Sequence, residues 1–309
     1  MKLSVVATLY QSELYIAEFY QRSSTVAKQI AGEDYELILV NDGSPDNSLA
    51  HATKLVETDN HVVVIDLSRN FGHHKAIMAG LSYAAGDLVF LIDSNLEEEP
   101  EWAITFHKQM QTENCDLIFG VQKKRKGNFF EQISGAIFYK IFRFVSGIQQ
   151  PNHITTARLM SKRYTQALLQ YQERELNFGG ISIITGFKQG QQTIKKHASS
   201  PTTYSFSKKL SHFVNAITSF SILPLVTIFY SGIIISITAL IYIARILIKY
   251  LFNPSPVSGY TSLIASIWLL SGLIIFFIGL QGIYIAKIFS EVKQRPNTII
   301  RDIYRHKKI

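Results

Sequence analysis

Leu88-Val89-Phe90-Leu91-Ile92 runs directly into Asp93-Ser94-Asn95-Leu96-Glu97-Glu98-Glu99-Pro100-Glu101. The first part is an unbroken apolar run of strand length, the pattern of a strand buried on both faces. The second part packs five carboxylates and an amide into nine residues. Carboxylates crowded this closely disfavour one another's charge unless a cation sits among them. Mg²⁺ and Mn²⁺ take oxygen ligands and bind through one or two carboxylates together with substrate phosphates. The position suits such a ligand, because open α/β sheets bind beyond the carboxyl ends of their strands. The same residues also read as a solvated acidic loop, with Glu97, Glu98 and Glu99 favouring the N-terminus of the helix that follows.

Working outward, strand and helix signals alternate through the first third of the chain. Residues 3–8, 36–41, 62–67, 88–92 and 116–121 are expected strands, and 13–30, 47–58, 75–85 and 101–112 expected helices. That rhythm predicts βαβ units and a mostly parallel sheet with helices on both faces. No fixed-period repeat or low-complexity tract interrupts it.

The 309 residues carry 31 Lys+Arg against 23 Asp+Glu, for a net charge of +8. The charge is unevenly spread. Residues 222–290 hold no Asp or Glu and only Arg245, Lys249 and Lys287 as cations. Within them, 222–244 and 262–286 are free of charge, and each is longer than the roughly 20 residues that cross about 30 Å of hydrocarbon. Asn253-Pro254-Ser255-Pro256-Val257-Ser258-Gly259 separates them and predicts a two-helix transmembrane hairpin. A buried core hairpin is the competing reading. Lys208 and Lys209 before the first span, and Lys287, Lys293, Arg295, Arg301, Arg305, Lys307 and Lys308 at or after the second, predict cytoplasmic termini. The mean hydropathy of +0.12 averages a soluble and a membrane part.

Met1-Lys2 leads straight into a strand, so no signal peptide is expected, and the single cysteine, Cys115, fits a reducing compartment. Residues 127–147 repeat Phe and Ile at helical spacing beside Lys140 and Arg143, just after Lys123-Lys124-Arg125-Lys126. They predict an amphipathic helix in the membrane interface, meeting anionic headgroups. Residues 205–221 are a second such candidate. The resulting organisation is a catalytic domain over 1–204, a juxtamembrane helix over 205–221, a membrane hairpin over 222–290 and a basic cytoplasmic tail over 291–309. No nucleic-acid partner is expected.

Two further motifs end strands. Asn41-Asp42-Gly43-Ser44-Pro45-Asp46 shapes a turn in which Asp42 can accept hydrogen bonds from a base or ribose. Ser68-Arg69-Asn70-Phe71-Gly72-His73-His74-Lys75 opens a helix, and its cations and free N–H groups suit a diphosphate. With Gly80-Leu81, Ala85-Gly86-Asp87 and the acidic run, these residues resemble the catalytic domain of glycosyltransferase family 2. Arg158-Leu159-Met160-Ser161, Glu173-Arg174, Ile217-Thr218-Ser219-Phe220-Ser221 with Pro224-Leu225, and Glu291-Val292-Lys293 with Arg295-Pro296 resemble a narrower group. That group is the polyprenyl-phosphate glycosyltransferases, similar to dolichol-phosphate mannose synthase and bactoprenol glucosyltransferases. The resemblance runs in order along nearly the whole chain.

It implies a GT-A fold and an inverting transfer from a nucleotide-sugar, expected to be a UDP-hexose, onto a polyprenyl phosphate such as undecaprenyl phosphate at a bacterial inner membrane, with Mg²⁺ or Mn²⁺. It also implies donor contacts from Thr8, Tyr10, Glu13, Asp42, Ser68, Arg69, Asn70, Lys75, Asp93, Ser94 and Asn95, and metal ligation by Asp93, Asn95 and Glu97. Acceptor contacts fall to Lys124, Arg125, Ser134, Arg158, Tyr204 and Lys208, and catalytic roles to Asp93, Glu98 and Lys208. A homotetramer is common among such relatives. The chain departs from the family pattern at several positions. Asn95 stands for an aspartate and Glu97 for a glutamine, so the carboxylate moves by two residues. Thr156 stands where relatives carry an acid, Ser12 where a donor-site glutamate is common, and Glu131 and Gln132 where Lys or Arg is found near the acceptor.

A phosphate acceptor fits this residue set, since it is largely dianionic at pH 7 and needs no base to take its proton. A hydroxyl acceptor would need one, for which Glu98 is the candidate. A membrane scaffold made inactive by Asn95 and Thr156 is the third reading.

Overall fold

The computed structural model describes residues 1–122, 154–174, 177–196, 218, 221, 223–252 and 259–306. They divide into two compact units, one holding the N-terminal two-thirds of the chain together with residues from 295 onward, the other holding the long apolar helices.

In the first unit, strands β1 (Leu3–Leu9), β2 (Tyr35–Asn41), β3 (Val62–Leu67), β4 (Leu88–Asp93), β5 (Leu117–Gln122), β6 (Ile154–Ser161), β7 (Gln189–Ile194) and β8 (Ile300–Arg305) build one sheet. Among the described residues its order is β7-β5-β6-β4-β1-β2-β3-β8. β3, β2, β1 and β4 are parallel, as the alternation of apolar runs predicts. β6 enters antiparallel between β4 and β5, and β8 closes the far edge antiparallel to β3. Neither β6, β7 nor β8 was expected from the sequence, and β8 lies in the segment read as a basic tail.

Every residue of β1 is buried, because helices cover both faces. Leu3, Val5, Ala7 and Leu9 join one core with Ile16 and Phe19 of α1 (Ile16–Ala31), Ala52 and Val56 of α2 (Ser48–Thr58), and Ala103 and Phe106 of α4 (Trp102–Glu113). These helical positions recur three and four residues apart, one face of a 3.6-residue repeat. Phe106 meets Phe90 of β4 edge-on at 6.2 Å. Burying such a ring contributes about 2–3 kcal/mol.

The other face takes α3 (His73–Tyr83). Here Gly80 lies so close to the sheet that a Cβ would fall 2.6 Å from Val6 Cγ1 and 2.8 Å from Val40 Cγ2. Close approach of α3 sets the height of its N-terminus above the carboxyl ends of β1 and β4. Beyond β6 the chain forms α5 (Lys162–Leu168) and α6 (Phe178–Ile184).

Strand order reverses between β1 and β4, and Thr8 pairs with Asp93 at their carboxyl ends. A crevice at such a reversal is where open α/β sheets bind ligands.

The second unit contains α7 (Leu223–Phe252) and α8 (Tyr260–Val292). Within α8, Ser266–Val292 has a mean hydropathy of 2.1 and is long and apolar enough to cross a membrane; Leu223–Ala239 of α7 is a shorter apolar stretch. Trp268, Leu269, Ile275 and Phe276 of α8 are exposed. The Tyr284 hydroxyl donates to the Ser221 carbonyl at 2.8 Å.

Candidate active site

The crevice is built from four loops. β1 leads into Tyr10, half exposed, and Gln11 at φ +53°. Ser12 then turns back into the protein, where its hydroxyl meets Ser94 Oγ at 3.0 Å and its amide donates to Ser48 Oγ at 3.0 Å. Ser12 is thus a buried hydroxyl tying β1, α2 and the acidic turn together. Ser94 also donates to the Thr8 carbonyl at 2.8 Å. Glu13 faces α2, accepting from Asn47 Nδ2 at 3.0 Å, and these bonds with Asn47 hold its pKa below the usual range.

Asp42 is buried after β2 and takes two backbone amides of the next loop, Phe71 N at 2.7 Å and Gly72 N at 3.0 Å. Burial pushes its pKa up despite these bonds. Both carboxylate oxygens therefore hold the 68–72 loop in place. Gly43 at φ +58° lies under that loop, and a Cβ there would fall 2.5 Å from the Arg69 carbonyl carbon. Only glycine fits the turn on both counts. Arg69 is exposed and stacks on Phe71 at 4.2 Å. Asn70 is exposed beside it, and Lys75 lies in the first turn of α3.

The acidic turn after β4 is organised differently. Asn95 Oδ1 accepts from Glu97 N at 3.1 Å, closing a turn through Leu96 at φ +56°. The turn sends Glu98 inward, fully buried, while Asp93 and Glu97 stay partly exposed. Glu98 Oε1 pairs with Lys196 Nζ at 2.9 Å and accepts from Thr156 N at 3.0 Å. Its other oxygen, Oε2, is buried without a hydrogen-bond partner. Lys196 also lies 3.7 Å from Glu97. Asp93 Oδ1 is 3.4 Å from His73 Nε2, whose Nδ1 is 3.1 Å from Thr8 Oγ1.

Electrostatics follow from this packing. Burial pushes Asp93 and Glu98 upward, and Lys196 opposes the shift in both. The Thr156 side chain also bonds Asp93 and lowers it. Burial works against the Lys196 charge, yet Glu98, Asp93 and Glu97 hold its pKa above the ordinary lysine value. Arg158, fully enclosed, is lowered by burial; it donates to the Thr155 and Thr156 carbonyls at 3.1 Å and lies over Phe178 at 4.5 Å.

Beside these carboxylates opens a cavity of about 260 Å³ lined by His73, His74, Thr155, Thr156, Arg158, Asn177, Phe178 and Lys196, among others. Its nitrogen-rich wall suits an anion.

Among the described residues no three His, Cys, Asp or Glu side chains form a ready-made metal cage. The donor set nonetheless fits a hard cation. Asp93, Glu97 and Glu98 outnumber the permanent cations Lys196 and Arg158, and one buried carboxylate oxygen has no hydrogen-bond partner. Asn95 spends its oxygen on the turn, so the carboxylates are the better ligands.

The structure thus gathers Thr8, Ser94, Asp93, Glu97, Glu98 and Arg158 around one crevice and binds Asp42 to the 68–72 loop. Lys124, Arg125, Ser134, Tyr204 and Lys208 lie outside the described residues. Lys196, Asn177 and Phe178 were missed. Lys196 lies just beyond β7, and Asn177 and Phe178 sit at the N-terminus of α6; these sequences carry no apolar run to mark them.

Three similarities bear on this geometry. The model of the family described as "Glycosyl transferase family 2" matches residues 4–169. A Mycobacterium tuberculosis (strain CDC 1551 / Oshkosh) protein named "Putative glycosyltransferases" is 44% identical over 98% of this chain and 89% of its own length. A Shigella flexneri protein named "SfII prophage-derived bactoprenol glucosyl transferase" is 30% identical over 99% of each chain.

Proposed function

The chain belongs to glycosyltransferase family 2 and is a glycosyltransferase of the GT-A α/β type; from that premise we propose that it moves a hexose from a nucleotide-sugar, a UDP-sugar by preference, to a polyprenyl phosphate at the cytoplasmic face of a membrane. One observation carries the reading: the cavity lined by Arg158, Lys196, His73 and His74 opens beside the Asp93–Glu98 turn. An anionic acceptor and a diphosphate donor can meet there. The end-to-end similarity to a protein named bactoprenol glucosyl transferase supports the same acceptor.

In this reading Asp93 and Glu97 would hold Mg²⁺ or Mn²⁺, which would supply charge neutralisation of the leaving diphosphate. Asp42 fixes the 68–72 loop, so that Ser68, Arg69, Asn70 and Lys75 meet the donor from above. Arg158 and Lys196 draw the acceptor phosphate towards the sugar carbon. The phosphate arrives already ionised, and proximity does most of the remaining work. The apolar stretches of α7 and α8 act as a two-span anchor that keeps the lipid tail in hydrocarbon.

The test is direct. Purified protein with polyprenyl phosphate, Mg²⁺ or Mn²⁺ and radiolabelled UDP-glucose, UDP-galactose, UDP-GlcNAc or GDP-mannose is expected to yield lipid-extractable label released by mild acid. No lipid-linked label from any donor would overturn the proposal. Glu98, buried with an unpartnered oxygen, favours a second reading, transfer to a hydroxyl with Glu98 as base. An acid-stable product would select it.

A further inference from the structure

β8 follows both apolar helices in sequence, yet it is hydrogen-bonded to β3 in the catalytic sheet. Its pairing is irregular. Asp66 faces Asp302 and Leu67 faces Ile300, so Arg301 is the extra residue of a bulge. A bulge redirects a side chain that a regular ladder would send elsewhere. Here the Arg301 guanidinium donates through Nη2 to the Ser68 carbonyl at 2.7 Å, and its Nη1 lies 3.4 Å from Asp66 Oδ2.

Asp66 explains the need. Its side chain is 1% exposed, and Oδ2 is buried without a hydrogen bond. A buried carboxylate left without a cation is strongly unfavourable. Its other oxygen accepts from Asn41 Nδ2 at 2.8 Å, and Asn41 Oδ1 in turn accepts from Ser44 N at 3.3 Å. The Ser68 amide donates to the Ile299 carbonyl at 2.9 Å. One guanidinium therefore bonds the 68–72 loop directly and is linked to the 41–44 turn through Asp66 and Asn41, the same two segments that Asp42 and Gly43 join.

We propose that Arg301 is a positioning residue for the nucleotide-sugar: it locks the two donor loops through Ser68 and Asp66, so that the strand after the apolar helices completes the donor site. The inference rests on reading those loops as the donor site. It assigns Arg301 no contact with substrate. Its effect falls mainly on donor binding, because the Arg158–Lys196 cavity takes most of its wall from β6, from the start of α6 and from Lys196 beyond β7.

Full-length protein in detergent is titrated with UDP and GDP by calorimetry, followed by steady-state assays against nucleotide-sugar and polyprenyl phosphate. For Arg301→Ala the expected result is about tenfold weaker nucleotide binding and a matching rise in donor KM, with kcat and acceptor KM little changed; the thermal midpoint falls, because Asp66 is left without its cation. Arg301→Lys should recover part of the loss, since an ammonium is a point charge without the planar fork. Should Arg301→Ala fail to fold, Asp66→Asn is read instead. It removes the charge, keeps an oxygen for Asn41, and is expected to weaken nucleotide binding in the same selective way. Equal nucleotide binding in variant and wild type overturns the proposal. So does a rise in acceptor KM equal to that in donor KM, which would make the strand a general brace. If wild-type protein itself binds neither UDP nor GDP, the donor reading falls first and this inference falls with it.

Discussion

The two sides of the crevice hold their negative charge in different ways. On the β2–β3 side, Asp42 is matched by backbone amides of Phe71 and Gly72, which cannot leave. On the β4 side, Glu97 and Glu98 are matched by the Lys196 side chain, which can swing away, while Asp93 lies beside the His73 imidazole, whose pKa burial lowers. Backbone donors make a fixed cradle; a side-chain ammonium makes a site whose counter-charge is exchangeable. The first arrangement suits a surface that must keep its shape for a nucleotide. The second suits a place where an incoming ion or phosphate takes over the charge balance during a reaction cycle.

The contrast can be broken by substitution. Asp93→Asn removes the carboxylate at the end of β4 and is expected to lower kcat by about 100-fold or more, the scale of losing a group aimed at developing charge. Turnover of lipid-linked sugar at saturating donor and metal measures it. Lys196→Met leaves Glu98 buried without its cation and should cost about 3 kcal/mol in urea unfolding at neutral pH. The sign of its pH dependence follows from Glu98. Burial already raises that carboxyl, and losing the ammonium raises it further. As pH falls below the raised value Glu98 takes a proton and no longer needs Lys196, so the gap between variant and wild type narrows in acid and is widest at neutral pH. A gap that stays constant from pH 4 to 7.5 would show that the pair does not carry the charge balance.

These two experiments act on residues of unequal visibility. Asp93 could be found from sequence because an apolar strand followed by a cluster of acids is a local pattern. Lys196 could not, because it is one of 31 Lys and Arg and its meaning comes from β7 lying beside β5. The parallel strands were legible for the same local reason, as they are buried on both faces. β7, Gln-Gly-Gln-Gln-Thr-Ile, buries only Gly190 and Ile194 and so has no apolar signature. β6 hides behind a buried arginine at Arg158. β8, Ile-Arg-Asp-Ile-Tyr-Arg, covers an edge with charged residues and reads like a tail.

Smaller effects sharpen the fixed side. Asp42→Asn keeps one acceptor but turns an amine towards a backbone N–H, and should cost about 2 kcal/mol in unfolding stability. Donor KM should rise with it, while acceptor KM stays put. Donor KM unchanged in a folded variant would mean the 68–72 loop holds itself. Smallest of all, Glu97→Gln is expected to raise the metal concentration for half-maximal activity a few-fold, whereas Glu99→Gln leaves it alone. Equal metal dependence in the two would remove Glu97 from the ion and leave Asp93 as its main protein ligand.

The edge strand β8 also has a consequence in time. It is made only after α7 and α8, so β3 keeps that edge unpaired until then. Until Arg301 arrives, Asp66 also lacks the guanidinium that stands 3.4 Å from its Oδ2. A chain cut before β8 is therefore expected to leave an open sheet edge, a place where a further strand can add.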